Sequence, residues 1–378
     1  MVNSPISYLV LSDIHLGHSR TSTTDIIHNL DVYFDNYITS SRFSTLDVIF
    51  LAGDVFDTLL SYNDPDIHHI HLWFSRLLRF CYRNKIILRI LEGTPSHDWK
   101  QSKTLLIVSS QAVDQGNVRY IDTLCIEHIV ELDLQVLYVP DEWNSSADIT
   151  LTQVTQLLAD NSLEQVDIAI MHGMFAYQCG WVNNNPHCHD IAAYLAIVKY
   201  WINIGHIHQH SVNDRVVAEG SFDRLAHGEE EAKGGVLMTL DIVNGNRYEF
   251  MPNLLAKRYI TIIVKWLDLD RAIGQIDKVI DRLPNDSYVR IKAKSSHPIY
   301  VAFDDIKRRY PLHYLSKQTL EDDSVSVIAD ITAVLSEDYV PITITPDNIV
   351  SLLLTAVKTS NELNDVETKA LTELLVVT

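Results

Sequence analysis

This sequence predicts a layered α/β domain, and two patterns in it predict that class. Short apolar runs of strand length alternate with amphipathic stretches of helix length, and run after run ends in Asp, His or Gly. Such an alternation builds sheets covered by helices, with the polar chemistry gathered beyond the strand ends.

Residues 6–11 (I-S-Y-L-V-L) read as a buried strand that stops at Ser12-Asp13-Ile14-His15-Leu16-Gly17. Residues 24–39 carry Ile26, Ile27, Leu30, Tyr33, Phe34 and Tyr37 at helical spacing, with Thr23 or Thr24 as the cap. A second buried strand, 48–51, ends in Ala52-Gly53-Asp54-Val55-Phe56-Asp57, and Pro65 then opens a helix through Asn84. A third, 86–91, ends in Glu92-Gly93-Thr94-Pro95-Ser96-His97-Asp98. Residues 118–121, 124–126 and 136–139 read as a run of antiparallel strands. A helix over 151–158 precedes a strand, 167–171, that ends at His172-Gly173. A helix over 190–198 leads into I-N-I-G-H-I-H at 202–208, where Gly205 permits a tight turn and the spacing puts His206 and His208 on one side. Strands at 216–219 and 236–241 close the domain.

From about Arg258 the pattern changes to a strand at 259–264, an amphipathic helix at 270–283, an alternating strand at 288–293 (Y-V-R-I-K-A) and a helix at 299–309. The domain reading is therefore 1–250 for the main domain, 251–325 for a small α+β unit and 326–378 for a helical tail. In that tail, 347–357 and 367–375 carry apolar residues at helical spacing, which suits either a docking element or a helical pair folded back on its own domain.

Of the 378 residues, 47% are hydrophobic and 21% charged, an ordinary globular balance with ample material for a core. No apolar run approaches the roughly 20 residues that cross a bilayer, and the N-terminus lacks a basic stretch followed by an apolar one, so a cytoplasmic protein is expected. The 4 cysteines show no paired close spacing, and reduced thiols are the expectation. With 30 basic and 49 acidic residues the net charge is −19, which argues against a surface coated with nucleic-acid contacts. Phosphate affinity from bound metal plus a local groove, or from a partner, stays compatible with that charge.

The clusters Asp13-x-His15, Gly53-Asp54-x-x-Asp57, Ser96-His97-Asp98, His172-Gly173 and Gly205-His206-x-His208 each stand where a predicted strand runs out. Alone, any of them reads as an everyday turn. Converging on one crevice, these carboxylates and imidazoles would repel or stay unsatisfied without a cation between them. Two divalent ions about 3.5–4 Å apart resolve that conflict and can clamp both the attacking and leaving oxygens of a phosphate ester. Mixed nitrogen and oxygen donors select Mn²⁺, Fe or Zn²⁺ over Mg²⁺ or Ca²⁺.

This ordered set resembles the calcineurin-like metallophosphoesterase superfamily, whose pattern is D-x-H, G-D-x-x-D, G-N-H-D/E, G-H and G-H-x-H. Three further segments resemble its SbcD-type branch: S-D-I-H-L-G at 12–17, Glu219-Gly220-Ser221 with E-E-E-A-K-G at 229–234, and the small unit built around Y-V-R-I-K-A. The likeness covers about residues 5–320. It implies a four-layer αββα sandwich with an α+β capping domain that contacts DNA and a helical C-terminal tail. It implies a Mn²⁺-dependent exo- and endonuclease that processes DNA ends or hairpins in replication, recombination and repair. It implies a homodimer joined to an SbcC-type, SMC-like ATPase as a heterotetramer, with no membrane partner.

The resemblance also assigns roles. Asp13, His15 and His208 would hold one metal, Asp54 would bridge to the second, and His172 and His206 would hold the second. His97 would be the catalytic histidine, oriented by Asp98, and Asp57 would orient a ligand. Ser96 stands where the family places Asn directly before that histidine, and it would contribute a weaker donor to the second metal. A phosphatase or phosphodiesterase for small molecules or phosphoproteins on the same core, and a catalytically weak repair scaffold, are the alternatives.

Other residues invite plainer readings. His68, His69 and His71 lie on one predicted helix at a spacing that brings no three imidazoles to one point. Cys179, His187, Cys188 and His189 mimic a zinc site without matching a zinc knuckle, and His189 is read instead as a substrate contact. Trp73, Phe74 and Phe80 suit either core or a homodimer interface.

Overall fold

In the computed structural model, residues 4–39, 45–110, 117–141, 144–178 and 185–320 are described. Along them the chain runs β1 (Ile6–Leu11), α1 (Thr23–Thr39), β2 (Val48–Ala52), α2 (Pro65–Asn84), β3 (Ile87–Leu91), α3 (Pro95–Asp98), α4 (Gln101–Ser110), β4 (Val118–Ile121), β5 (Cys125–Ile129) and β6 (Leu134–Val139). It continues through α5 (Ala147–Asp160), β7 (Val166–His172), β8 (Met174–Phe175), β9 (Cys188–His189), α6 (Ile191–Ile197), β10 (Val198–Gly205), β11 (Ser211–Asn213), β12 (Val216–Ala218), β13 (Gly234–Leu240) and β14 (Arg247–Pro252). Last come β15 (Tyr259–Ile263), α7 (Leu269–Ile280), β16 (Tyr288–Lys294), α8 (Phe303–Arg309) and β17 (Tyr314–Leu320).

Two six-stranded mixed sheets carry the α/β architecture, in the orders β14-β13-β1-β2-β3-β4 and β11-β12-β10-β7-β6-β5. Their central strands are parallel: β1 to β2, β2 to β3 and β3 to β4 in one sheet, β12 to β10, β10 to β7 and β7 to β6 in the other. Parallel strands buried on both faces need apolar residues at every position, and alternate residues here feed different cores. Tyr8 and Val10 of β1 join Val48 and Phe50 of β2 and Ile168 and Ile170 of β7 in a core between the sheets. Leu9, Leu11, Ile49 and Leu51 face the other way, onto α1 and α2. Ala169, Met171, Ile202 and Ile204 face α5 and α6. The layers thus run helix, sheet, sheet, helix.

Trp73 and Phe74 of α2 are buried in the core under the first sheet, and Phe80 packs against it, so this aromatic series is core. The strands expected as one antiparallel run divide: β4 extends the first sheet in parallel with β3, while β5 and β6 form an antiparallel pair at the edge of the second. Local pattern marks each strand, but sheet membership is decided by which core its faces meet. Helices α3 and α4 and strands β8, β9, β11, β14 and β17 fall outside the elements that the sequence pattern predicts. Cys188 is disulfide-bonded, a correction to the expectation of reduced thiols, whereas Cys81 and Cys125 are free.

After β14 the chain builds a three-stranded sheet, β15-β16-β17, with its own core. Val289, Ile291 and Ala293 of β16 are buried at alternate positions and meet Ala272, Ile276 and Ile280 on one face of α7. Residues through Thr319 form one compact unit. The tail segments 347–357 and 367–375 lie outside the described residues. No helix of the described residues is long and apolar enough to cross a membrane.

Candidate metal centre

The C-terminal ends of β1, β2, β3, β7 and β10 meet at one rim, where close approach demands glycine at 53 and 205. A Cβ at Gly205 would lie 1.8 Å from Ser12 Oγ and 2.5 Å from the Ala52 carbonyl oxygen, and one at Gly53 would lie 2.2 Å from His172 Nδ1. Gly205, expected to permit a tight turn, is needed for space and has no positive φ. Positive φ also falls on candidate ligand side chains: Asp13 at 51°, His15 at 55°, Asp54 at 49° and His206 at 97°. Left-handed backbone costs a non-glycine residue about 1–2 kcal/mol and persists only where surrounding bonds hold it. Here Ile14 N and His15 N donate to Asp54 O at 2.9 and 3.1 Å, and His206 N donates to Asp13 Oδ2 at 2.9 Å.

Asp13, His15 and His208 bring one donor atom each within 4.8 Å of one another, and Asp54, His172 and His206 do the same. The two histidines of the 202–208 stretch thus serve different groups. Asp54 Oδ2 lies 3.3 Å from His172 Nε2 and 3.9 Å from His15 Nε2, so the two groups adjoin at this carboxylate.

Hydrogen bonding on the far side of each ring indicates which nitrogen is bare. His208 Nδ1 donates to Glu229 Oε1 at 2.9 Å, and His15 Nδ1 lies 3.1 Å from Asp57 Oδ1, out of line for an ideal bond. Both rings then aim Nε2 lone pairs at each other across 3.1 Å, with Asp13 Oδ1 3.9 Å from His15 Nε2 and 3.7 Å from His208 Nε2. Two lone pairs and a carboxylate in one buried spot are stable only around a cation or a shared proton. The donor set therefore suits a divalent metal. In the second group His172 Nδ1 donates to the Ala52 carbonyl at 2.8 Å, which turns its Nε2 toward Asp54.

Electrostatics agree with this grouping in the ion-free chain. Burial opposes the Asp54 charge, but His172 beside it, helped by His15 and His97, holds the carboxyl well below its usual range. Burial likewise opposes a charged His172, yet Asp54 raises its pKa to about 10. Burial and the neighbouring His172 lower His206. For His208 burial is outweighed by the Glu229 hydrogen bond and Asp13, which raise it, while Glu229 itself is held down to about 2 by His208 and Lys233 against its burial.

His97 belongs to a third cluster with His15 and Asp57. Its Nδ1 donates to the Asp57 carbonyl oxygen at 2.6 Å, which leaves Nε2 as the atom that can pass a proton. Asp57 therefore touches His15 through its carboxylate and His97 through its backbone. Asp98 does not orient His97: its buried carboxylate accepts from Phe56 N at 2.9 Å and Gly93 N at 2.8 Å, tying two loops together. Burial, with the Asp54 and Glu92 charges, pushes Asp98 well above the usual carboxylate range.

Ser96 is also corrected. It is exposed within α3, where its carbonyl accepts from Trp99 Nε1, and it is not among the converging groups. Thr94 stands in its place, its hydroxyl 3.2 Å from Asp54 Oδ2, 3.4 Å from His172 Nε2 and 3.3 Å from His206 Nδ1. A second hydroxyl in the same loop, directly after Gly93, is the signal in the sequence, but its two-residue offset from Ser96 hides it. His189 is buried, burial lowers its pKa to about 4, and it lines a cavity of about 230 Å³ that reaches His172 and His206. His68 and His69 are exposed on α2.

No family model and no curated protein matches the chain. Among solved structures, one crystal structure is similar over 100% of its own chain and 66% of this one, at 15% identity and a TM-score of 0.39. Glutamine-dependent NAD+ synthetase from Acinetobacter baumannii, in complex with ADP, is similar over 73% of its chain and 95% of this one, at 8% identity and a TM-score of 0.31. Superpositions this loose establish no shared fold, and the chemistry of the rim rests on its own geometry.

Proposed function

We propose that this chain is a two-metal DNA phosphodiesterase of the calcineurin-like class, an SbcD-type exo/endonuclease subunit that uses Mn²⁺. The observation that carries the reading is the pair of adjoining histidine–carboxylate groups that meet at Asp54, each with imidazole nitrogens aimed inward. Asp13, His15 and His208 would hold one ion, His172 and His206 the other, and Asp54 would serve both. Bound there, the ions supply Lewis acidity toward the phosphate and lower the pKa of a coordinated water.

The chain's own residues do the rest. Glu229 and Asp57 keep the Nδ1 protons of His208 and His15 turned outward, so that the Nε2 atoms stay free. The Asp57 carbonyl orients His97, whose Nε2 hands a proton to the departing sugar oxygen. The net charge of −19 fits a subunit whose grip on the DNA backbone comes from an SbcC-type ATPase partner, because phosphate contacts dominate nonspecific affinity. A homodimer with that partner docked on the residues after Val340 completes the reading.

The test is cleavage of a blunt duplex and a DNA hairpin by the purified chain with Mn²⁺, alone and with the partner ATPase. Metal-dependent release of nucleotides, abolished by a chelator, is expected. A chain that binds two Mn²⁺ ions, hydrolyses a phosphomonoester and leaves DNA intact with the partner present would sink the nuclease reading in favour of a phosphatase. Deleting the residues after Val340 is expected to abolish association with the ATPase while short substrates are still cut.

A further inference from the structure

We infer that the Thr94 hydroxyl is the neutral oxygen donor of the second cation group. The inference rests on the two-cation reading of this rim and concerns a position where the chain departs from the pattern it resembles. Thr94 Oγ1 lies between 3.2 and 3.4 Å from Asp54 Oδ2, His172 Nε2 and His206 Nδ1, one atom from each member of that group. A hydroxyl offers one proton and two lone pairs, and here it faces a carboxylate oxygen and two imidazole nitrogens at once. A cation among the four atoms accommodates all of them.

Local structure supports the assignment twice over. Thr94 is the residue before α3, where a threonine hydroxyl ordinarily accepts a hydrogen bond from the first turn of the helix; Thr94 makes no such bond and turns toward Asp54 instead. The loop is also held by the backbone: Thr94 N donates to Asp54 Oδ1 at 2.5 Å, and a Cβ at Gly93 would lie 2.1 Å from Asp54 N. Pro95 starts the helix at once, which carries Ser96 round to the exposed face. A threonine reaches less far than an asparagine amide, so the loop must lie this close for the hydroxyl to serve.

The experiment is a Mn²⁺ titration of the full chain followed by electron paramagnetic resonance, together with Co²⁺ absorption spectra, which read coordination directly. Wild type is expected to bind two ions. Thr94→Val, which keeps the shape and loses the hydroxyl, is expected to weaken the second ion at least tenfold and to change the Co²⁺ spectrum at one equivalent only. Thr94→Ser is expected to restore both, and Ser96→Ala to leave both as in wild type. Should Thr94→Val fold poorly in a thermal melt, Thr94→Ser against Thr94→Ala decides the same point. Two ions bound equally well by the hydroxyl-free variant, or a second ion lost in Ser96→Ala, overturns the assignment while the two-cation reading stands. A wild-type chain that binds fewer than two ions overturns that reading and the assignment with it.

Discussion

The two cation groups share Asp54 but are backed differently. In the first, carboxylates stand behind both rings, Glu229 behind His208 and Asp57 behind His15. In the second, His172 is backed by the Ala52 carbonyl, and His206 meets Thr94. A carboxylate behind an imidazole raises its basicity and its hold on a metal more than a neutral carbonyl does. On the proposed two-cation reading the sites are ordered: the first group would fill at lower metal concentration, and the second would depend on a single hydroxyl and on the state of Asp54.

The largest effect expected is on chemistry with both groups intact. On the proposed mechanism His97→Asn removes the proton donor and leaves both groups' ligand atoms in place, so DNA cleavage should fall about 10²–10⁴-fold while Mn²⁺ content stays at the wild-type level. Metal analysis of the purified variant checks this, and loss of an ion along with activity would make His97 part of a site.

Next comes the asymmetry itself. Glu229→Gln is expected to weaken the first ion about 10–100-fold, the range for outer partners of a metal ligand, and to leave the second ion nearly unchanged. A calorimetric titration that showed both ions weakened alike would erase the distinction between the groups.

The smallest effect is in stability, and it belongs to the ion-free second group. His172 is raised from 6.5 to about 10, so its protonated form stabilises the fold fully below about pH 6.5, and that support is lost as pH rises through 10. Asp54 is depressed, so its contribution holds above the ordinary carboxylate range and is lost in acid. Melting temperature in chelator should therefore decline between about pH 7 and 10. Asp54→Asn should flatten that decline, and so should Mn²⁺. An unchanged slope in Asp54→Asn would detach His172 from this carboxylate.

Much of this was legible because each functional word follows its strand directly. D-x-H after β1, G-D after β2, H-G after β7 and G-H-x-H after β10 are contiguous, and a parallel strand delivers its next residue to the same rim as its neighbours. What stayed hidden depends on distance through space. Ser96 sits next to His97 in the chain, yet one turn of α3 carries it to solvent while Thr94 faces the site. Asp98 is adjacent to His97 as well, but its carboxylate points under the loop to Phe56 and Gly93. Glu229 is one of three consecutive glutamates, and nothing in their order says which one reaches His208. The same limit explains β4, whose apolar residues mark a strand without saying which sheet receives it.

The left-handed backbone at Asp13, His15, Asp54 and His206 sets endurance against the proposed chemistry. Glycine at His15 or His206 would relax the main chain, whereas at Asp13 or Asp54 it would also remove a carboxylate that accepts from backbone N–H groups. Each such gain would remove a side chain from the rim, so a more heat-resistant version of this protein has to find its hardening elsewhere, in the sheets and helices below.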